Sequence, residues 1–569
     1  MASLLAVAAP SSAGMTRSIA LRLDRGKSVA ESIRVPSDRP RASDMQAPPV
    51  RTATPALLLW GFVFTVLCVT ASRNPQASDG RQMCHAASSL LQRGTFAIDP
   101  TRSDVVRGPD GNYYTKYPLL TVLQCVPALG LQTAARKLAS ADAMFEAWAL
   151  GLVPHVLSAT LALGIMQLAL ALGASVSAAV WLALLSVFTT PLWVAGRSLY
   201  SENLQAVLVI WITLMTVRAR DARNWAAFIW VGVLCGLAIN TKVVLAVMPL
   251  VLIVDQCHER VGRARLVRLL AGALPGIALG VLAFFAYNKL RFGGLLTQGY
   301  TAERDGALGF SVALPAGVHG LLFGSGKSVF LYAPILLGSV LAVPAWFRTR
   351  RRELWLIAIP ALTTLGVSAC WWAWAGDWAW GPRFLSSVVP LACLPLMRAL
   401  MRPRKRTRLA ILTLAALGLY VQVLGISIDA GSFLKTTWPM TRAIAGKQFG
   451  SVTLRDGILP VHFVPELNPI VGHQWLLLRY LRPSPWTEQS YYPWRGLGFQ
   501  SWRPDVDPTP AHLDFWIDSG SSRTALLLEG VLAALALALG ALLVKQLSST
   551  SRACCARARG TADRDVTAV

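Results

Sequence analysis

The sequence predicts an all-α protein that crosses a membrane many times, with about twelve spanning helices. Two observations carry that expectation. Hydrophobic residues make up 54% of the chain and charged residues 15%, and the apolar residues gather into runs of about 17 to 25, the length a helix needs to cross a bilayer. The basic residues behind the formal charge of +25 sit in short clusters between those runs. That is the pattern of topology signals, and it argues against a continuous nucleic-acid-binding face.

Taken in order, residues 1–54 are rich in Arg, Ser and Pro without apolar periodicity, and are expected to form a disordered, basic, cytosolic extension rather than a cleaved signal. The first span is expected at about 55–72. Further runs follow at about 143–172, 176–196, 203–217, 225–240, 242–256, 269–287, 329–347, 354–374, 384–401, 409–428 and 524–547. With that count, the loops holding Arg218, Arg220 and Arg223, then Arg260 to Arg268, Arg348 to Arg352 and Arg402 to Arg408 all fall on one side. The positive-inside rule makes that side, and both termini, cytosolic. Treating Tyr117 to Leu131 as another span would invert everything after it, so this stretch is assigned to a helix at the external interface. The first external loop then covers 73–142, inside a catalytic module of 55–428. A late external segment or small domain covers 429–522, rich in Pro, Trp and Tyr, with 523–569 as final span and basic tail.

Candidate chemistry concentrates on the external side. Asp79, just past the first span and ahead of an amphipathic stretch from Arg81 to Gly94, can serve as a general base or hold a cation at headgroup depth; the alternative is a solvated loop acid. Glu202, at the external end between the third and fourth spans, is either a second functional carboxylate or a snorkelling helix-end acid. The two could share a divalent cation or divide base and positioning roles, and a metal requirement is left open. Lys116, before Tyr117-Pro118, and Lys242, in Asn240-Thr241-Lys242, are candidate phosphate ligands; for Lys116 general lipid anchoring is the competing role. The segment Trp371 to Phe384 holds five Trp residues, more than an interfacial belt needs. Trp372, Trp374 and Trp380 are expected to stack on sugar or acceptor. Arg383 offers a planar fork for phosphate, and Asp377 either pairs with that Arg or binds sugar hydroxyls.

Other patterns lead nowhere catalytic. Gly324-Ser325-Gly326-Lys327-Ser328 lacks the spacing and preceding strand of a P-loop, and its external placement excludes cytosolic nucleotide. His85, His155, His258, His319, His462, His473 and His512 show no ligand spacing. Cys84 and Cys125 share the first external loop, leaving a disulfide open, and Cys554-Cys555 are either reduced thiols or palmitoylation sites.

Over about 75–400 the layout resembles the GT-C glycosyltransferases that use a polyprenyl-phosphate sugar, in particular bacterial relatives of protein O-mannosyltransferases and of the lipid A aminoarabinose transferase. The motifs are Asp79 with its following helix, Lys116-Tyr117-Pro118-Leu119, Glu202 after the third span, Gly236-Leu237-Ala238-Ile239-Asn240-Thr241-Lys242 and Trp380-Gly381-Pro382-Arg383-Phe384. The departure is Asp79-Gly80 where O-mannosyltransferases have an Asp-Glu pair, so the acceptor type does not carry over. The resemblance implies a membrane glycosyltransferase of the cell envelope with an outward-facing site in the cytoplasmic membrane. It implies as partners a polyprenyl-phosphate sugar, membrane lipids and a glycan, lipid or protein acceptor, and no nucleic acid. Asp79 and Glu202 would then be catalytic, and Lys116, Lys242 and Arg383 would face the donor phosphate. A transporter or lipid flippase is the rival class, and it would place its ionisable residues near the bilayer midplane.

Overall fold

A computed structural model describes residues 52–566, apart from 102–104, 139–142, 222, 259–261, 303–308, 377–378, 402–403, 450–453, 482–512 and 518–520. The expected extension therefore lies almost wholly outside the described residues, as does Asp377.

Five helices are long and apolar enough to cross a membrane: Ala143–Ala171, Arg263–Phe292, Arg351–Cys370, Lys405–Ser427 and Arg523–Ser549. This is the architecture of a multi-pass membrane protein. The chain enters with α1 (Ala53–Val69), followed by the amphipathic α2 (Ala77–Arg93). Gly94 ends α2 in the left-handed conformation (φ 65°), which glycine adopts without a Cβ clash. One departure from the all-α expectation comes next. Strands β1 (Val105–Arg107) and β2 (Tyr113–Thr115) form a two-stranded antiparallel hairpin, turned at Gly108 to Gly111. The interfacial stretch is two helices, α3 (Leu119–Leu123) and α4 (Cys125–Leu138).

The bundle proper contains α5 (Ala143–Ala171), α6 (Val176–Phe188), α7 (Leu192–Ala195), α8 (Ser201–Arg218), α9 (Trp225–Ile239), α10 (Met248–Cys257), α11 (Arg263–Arg268) and α12 (Leu274–Phe292). Helix α8 is buried on nearly every face, lying against α5, α9 and α10, as its all-round apolar sequence requires. Helices α9 and α12 cross at glycine. A Cβ on Gly232 would sit 2.1 Å from the Ala273 carbonyl oxygen, and one on Gly280 2.2 Å from the Gly236 Cα, so only small residues let these backbones meet. Beyond them run α13 (Gly299–Ala302), α14 (Leu314–Phe323), α15 (Val329–Tyr332), α16 (Ile335–Thr349), α17 (Arg351–Cys370), α18 (Val389–Ala392), α19 (Leu396–Met401) and α20 (Lys405–Ser427). The late segment is largely helical, with α21 (Ala430–Phe449), α22 (Leu454–Phe463) and α23 (Pro469–Leu481), before the final α24 (Arg523–Val566).

Several apolar runs are not single helices. The run at 384–401 breaks into a 3-10 turn, α18 and α19, and the run at 329–347 into α15 and α16. The breaks coincide with Pro390, Pro395 and Pro334, which remove the N–H a continuing helix needs.

The basic loops meet at one pole. Arg220 and Arg352 both pair with the buried Asp255 carboxylate, at 2.7 and 2.9 Å, and Arg220 also pairs with Glu353 at 3.0 Å. Arg265 donates to the Arg220 carbonyl and Arg350 to that of Leu172. Three of the Arg-bearing connections are thereby tied together.

Candidate active site

Away from the basic pole, loops from distant parts of the chain converge on Asp79. Its position in the first turn of α2 suits a carboxylate, because the free N–H groups there carry partial positive charge. The entry to α2 is fixed by Leu199, whose N–H donates to the Pro75 carbonyl at 2.7 Å. Gly80 lies directly under Leu199, where a Cβ would fall 3.2 Å from the Leu199 Cβ. That close approach accounts for glycine beside the acid.

Arg383 reaches Asp79 from the far end of the sequence, its Nη1 donating to Oδ2 at 2.8 Å. The Tyr117 hydroxyl also donates to Asp79, and Lys116 adds a nearby positive charge. Burial alone would raise the Asp79 pKa, but Arg383, Tyr117 and Lys116 outweigh it and hold the carboxyl below its ordinary range. Arg383 is the mirror case. Burial opposes its charge, and Asp79, Glu202, Tyr200 and Tyr117 reverse that effect and hold it firmly cationic.

A second ion pair stands alongside. Lys242 Nζ lies 3.7 Å from Oε1 of the buried Glu202, and Ser201 Oγ donates to Oε2. Phe384 joins the two pairs, its ring facing Lys242 at 4.1 Å and Arg383 at 5.0 Å, with Tyr200 on the Arg383 guanidinium at 5.2 Å. Lys242 is placed by Asn240, whose side chain bonds the Gly236 and Gly280 carbonyls across the glycine crossing, while its own carbonyl accepts from Leu120 of α3. Lys116 and Tyr117 are placed by the buried Arg291 of α12, which donates to the carbonyls of Thr115 and Tyr117.

Asp79, Lys116, Glu202, Lys242 and Arg383 are thus brought into one electrostatic cluster. The indoles separate. Trp374 is 4% exposed and packs on His462 and Phe463, and Trp380 is 5% exposed, against His473 at 4.4 Å and Tyr332 at 5.0 Å. Both rings are covered by protein. Trp372 stays half-buried beside Trp371. Sequence reasoning missed Tyr200 and Phe384 as partners of the cations; their one signal was adjacency to Glu202 and Arg383.

Cys84 and Cys125 are both free thiols, buried in one apolar cluster under α2 and hydrogen-bonded to each other. Among the described residues no group of three or more His, Cys, Asp or Glu is arranged to hold a metal ion, and Asp79 and Glu202 each have a cationic partner.

No protein-family model and no curated protein matches the chain. Solved structures similar to it include two of membrane proteins. ArnT from Cupriavidus metallidurans, in the apo state, is 17% identical with a TM-score of 0.39, over 74% of each chain. The archaeal oligosaccharyltransferase AglB from Archaeoglobus fulgidus, in complex with an inhibitory peptide and a dolichol-phosphate, is 13% identical with a TM-score of 0.39, over 83% of this chain and 61% of that one. The chain therefore spans less than two thirds of the length of AglB. Both are members of the GT-C superfamily that the sequence motifs resemble. At that TM-score the likeness decides neither the fold of this chain nor its activity.

Proposed function

We propose that this protein is a GT-C-type glycosyltransferase that moves a sugar from a polyprenyl-phosphate donor to a hydroxyl acceptor on the external side of the cytoplasmic membrane. The observation that carries the proposal is the bond between Asp79 and Arg383. It sets a carboxylate able to take a proton directly beside a guanidinium that still has donors to offer. The buried Nε of Arg383 has no hydrogen-bond partner among the described residues, and a buried charged donor in that condition favours an anionic ligand.

In this mechanism Arg383, Lys116 and Lys242 hold the donor phosphate, with the apolar helices beside them available to the polyprenyl chain. Once phosphate shares the guanidinium, the pull of Arg383 on Asp79 weakens and the carboxylate becomes a stronger base. The acceptor hydroxyl gives its proton to Asp79 as its oxygen bonds to the anomeric carbon. The bond from that carbon to the phosphate oxygen breaks on the opposite face, and polyprenyl phosphate leaves with the electron pair. A single displacement of this kind inverts configuration. Charge builds on the leaving phosphate, where fixed cations lower the barrier most. Glu202 keeps Lys242 in place, and Trp372 is the remaining indole for sugar or acceptor.

The proposal includes about twelve spans with both ends in the cytosol. It is supported by the meeting of three Arg-rich connections at one pole while Asp79, Glu202, Lys242 and Arg383 gather away from it. A transporter would instead be expected to keep such charges near the bilayer midplane. The deciding experiment follows release of polyprenyl phosphate by the full chain in lipid nanodiscs, from a panel of synthetic polyprenyl-phosphate sugars. Release that disappears in Asp79→Asn supports the reading. Equal release by wild type and Asp79→Asn overturns it.

A further inference from the structure

The segment Gly324 to Ser328, excluded above as a nucleotide loop, has a defined place beside the site. It forms the turn between α14 and α15, where Ser328 Oγ accepts from the N–H groups of Phe330 and Leu331 and caps α15. Its glycines serve close packing. A Cβ on Gly326 would sit 2.1 Å from the Val461 carbonyl oxygen, and the Gly326 N–H donates to His462 at 3.0 Å. Lys327, 2% exposed, then turns inward, and its Nζ donates to the carbonyls of Ala379 at 2.8 Å and Gly381 at 3.2 Å. An ammonium is costly to bury, and carbonyl dipoles aimed at it offset that cost only while their geometry holds.

Those two carbonyls flank Trp380 and lie four and two residues before Arg383. Gly381 turns with φ 64°, and a Cβ there would meet the Tyr332 ring of α15 at 2.8 Å. Gly376, with φ 66°, closes over the Arg383 stem, where a Cβ would fall 2.8 Å from Cγ. Gly376 is thus packed on the Arg383 stem, and the residues just before Arg383 are pinned from behind at 379 and 381.

We propose that Lys327 is a positioning residue, which holds the turn through Ala379 and Gly381 so that the Arg383 guanidinium stays on Asp79. Its consequence for transfer rests on the glycosyltransferase reading; the geometric statement does not, so the two are tested separately.

The full chain is placed in lipid nanodiscs and the Asp79 carboxyl is titrated by infrared difference spectroscopy, its band assigned by loss in Asp79→Asn. Arg383→Gln is expected to move the midpoint upward. Lys327→Met is expected to move it the same way, Lys327→Arg to restore most of it, and Lys327→Met added to Arg383→Gln to cause no further shift. If Lys327→Met does not fold, Lys327→Gln, which keeps a donor of shorter reach, takes its place with the same expected upward shift. A folded Lys327 variant of either kind with the wild-type Asp79 midpoint, whatever its thermal stability, overturns the inference. So does a further shift in the double variant. Should transfer prove absent altogether, the infrared result still decides the role of Lys327.

Discussion

At Asp79 two opposed effects meet, since burial favours the neutral acid and the surrounding Arg383, Tyr117 and Lys116 favour the carboxylate, with the second group prevailing. The sign has a consequence for pH. A carboxyl held low in the folded protein stays ionised as pH falls past the ordinary carboxylate range, about 3.9 for an unperturbed Asp. The stability of the ion pair is present above the unfolded value and is lost only as pH falls through the folded one. The acid limb of kcat/KM, which reports the donor-free enzyme, should therefore lie below that ordinary range. In Arg383→Gln it should move upward, because burial remains while the main cation is gone; a pH profile of initial rates checks this, and an unmoved limb would contradict the pairing. Arg383→Lys keeps the charge but would lose the second parallel bond that the proposed function gives Arg383 to the donor phosphate. A loss of about 1.5–3 kcal/mol, on the order of ten- to a hundredfold in donor affinity or transfer, is expected there, with a smaller effect for Asp377→Asn. Glu202→Gln should lower transfer as well, since Lys242 would lose its carboxylate partner.

Among the elements, the crossing of α9 and α12 has the clearest physical demand. The bonds of Asn240 across it carry the order of the crossing to Lys242. Even alanine at Gly236 would bring a Cβ to 2.4 Å from the Gly276 carbonyl oxygen, so the helices must part. Gly236→Ala is expected to cost about 1–3 kcal/mol, the range for overpacked contacts, and to lower the thermal midpoint in nanodiscs. Gly366 of α17 provides the opposite case, because a Cβ there meets nothing within 4 Å. Gly366→Ala should hold or raise that midpoint, since alanine loses less backbone freedom in a helix, by about 0.5–1 kcal/mol. If both variants melt alike, close backbone approach is not what holds α9 to α12.

For the whole molecule, the late segment is fastened to the first span by one buried cation. Arg197 donates to the carbonyls of Thr70, Ile426 and Asp514 and pairs with the Asp514 carboxylate at 3.4 Å, while Asp514 also accepts from Ser72. Removing the carboxylate leaves Arg197 buried without its ion-pair partner, held by carbonyls and the more distant charge of Asp429. Asp514→Ala is expected to destabilise by about 3 kcal/mol, read as a lowered thermal midpoint. The topology is tested at the same scale, by labelling single cysteines from outside the cell. The exposed position 471 should react and the exposed position 405 should not; the reverse result would overturn the shared external site. The membrane setting was legible in the sequence because a bilayer imposes a length and a composition on any helix within it, whatever its neighbours. Hence the apolar runs fall on helices, and the amphipathic stretch after Asp79 on α2. Asp79, Glu202, Lys242 and Arg383 could be named as candidates, since charge at a span end is conspicuous against an apolar background. Their pairing could not be foreseen. Asp79 and Arg383 are 304 positions apart, and which carboxylate meets which cation follows from how α2, α9, α12 and the turn at 379–383 pack. The same packing decided that Trp374 and Trp380 are enclosed, because an indole reads alike in sequence whether it faces a ligand or a helix. It also turned Lys327 toward carbonyls, in a segment whose local pattern pointed to no function. Sequence determined the membrane setting and the inventory of charges; tertiary structure alone decided their partners, since those contacts are set by side chains meeting across elements rather than along one.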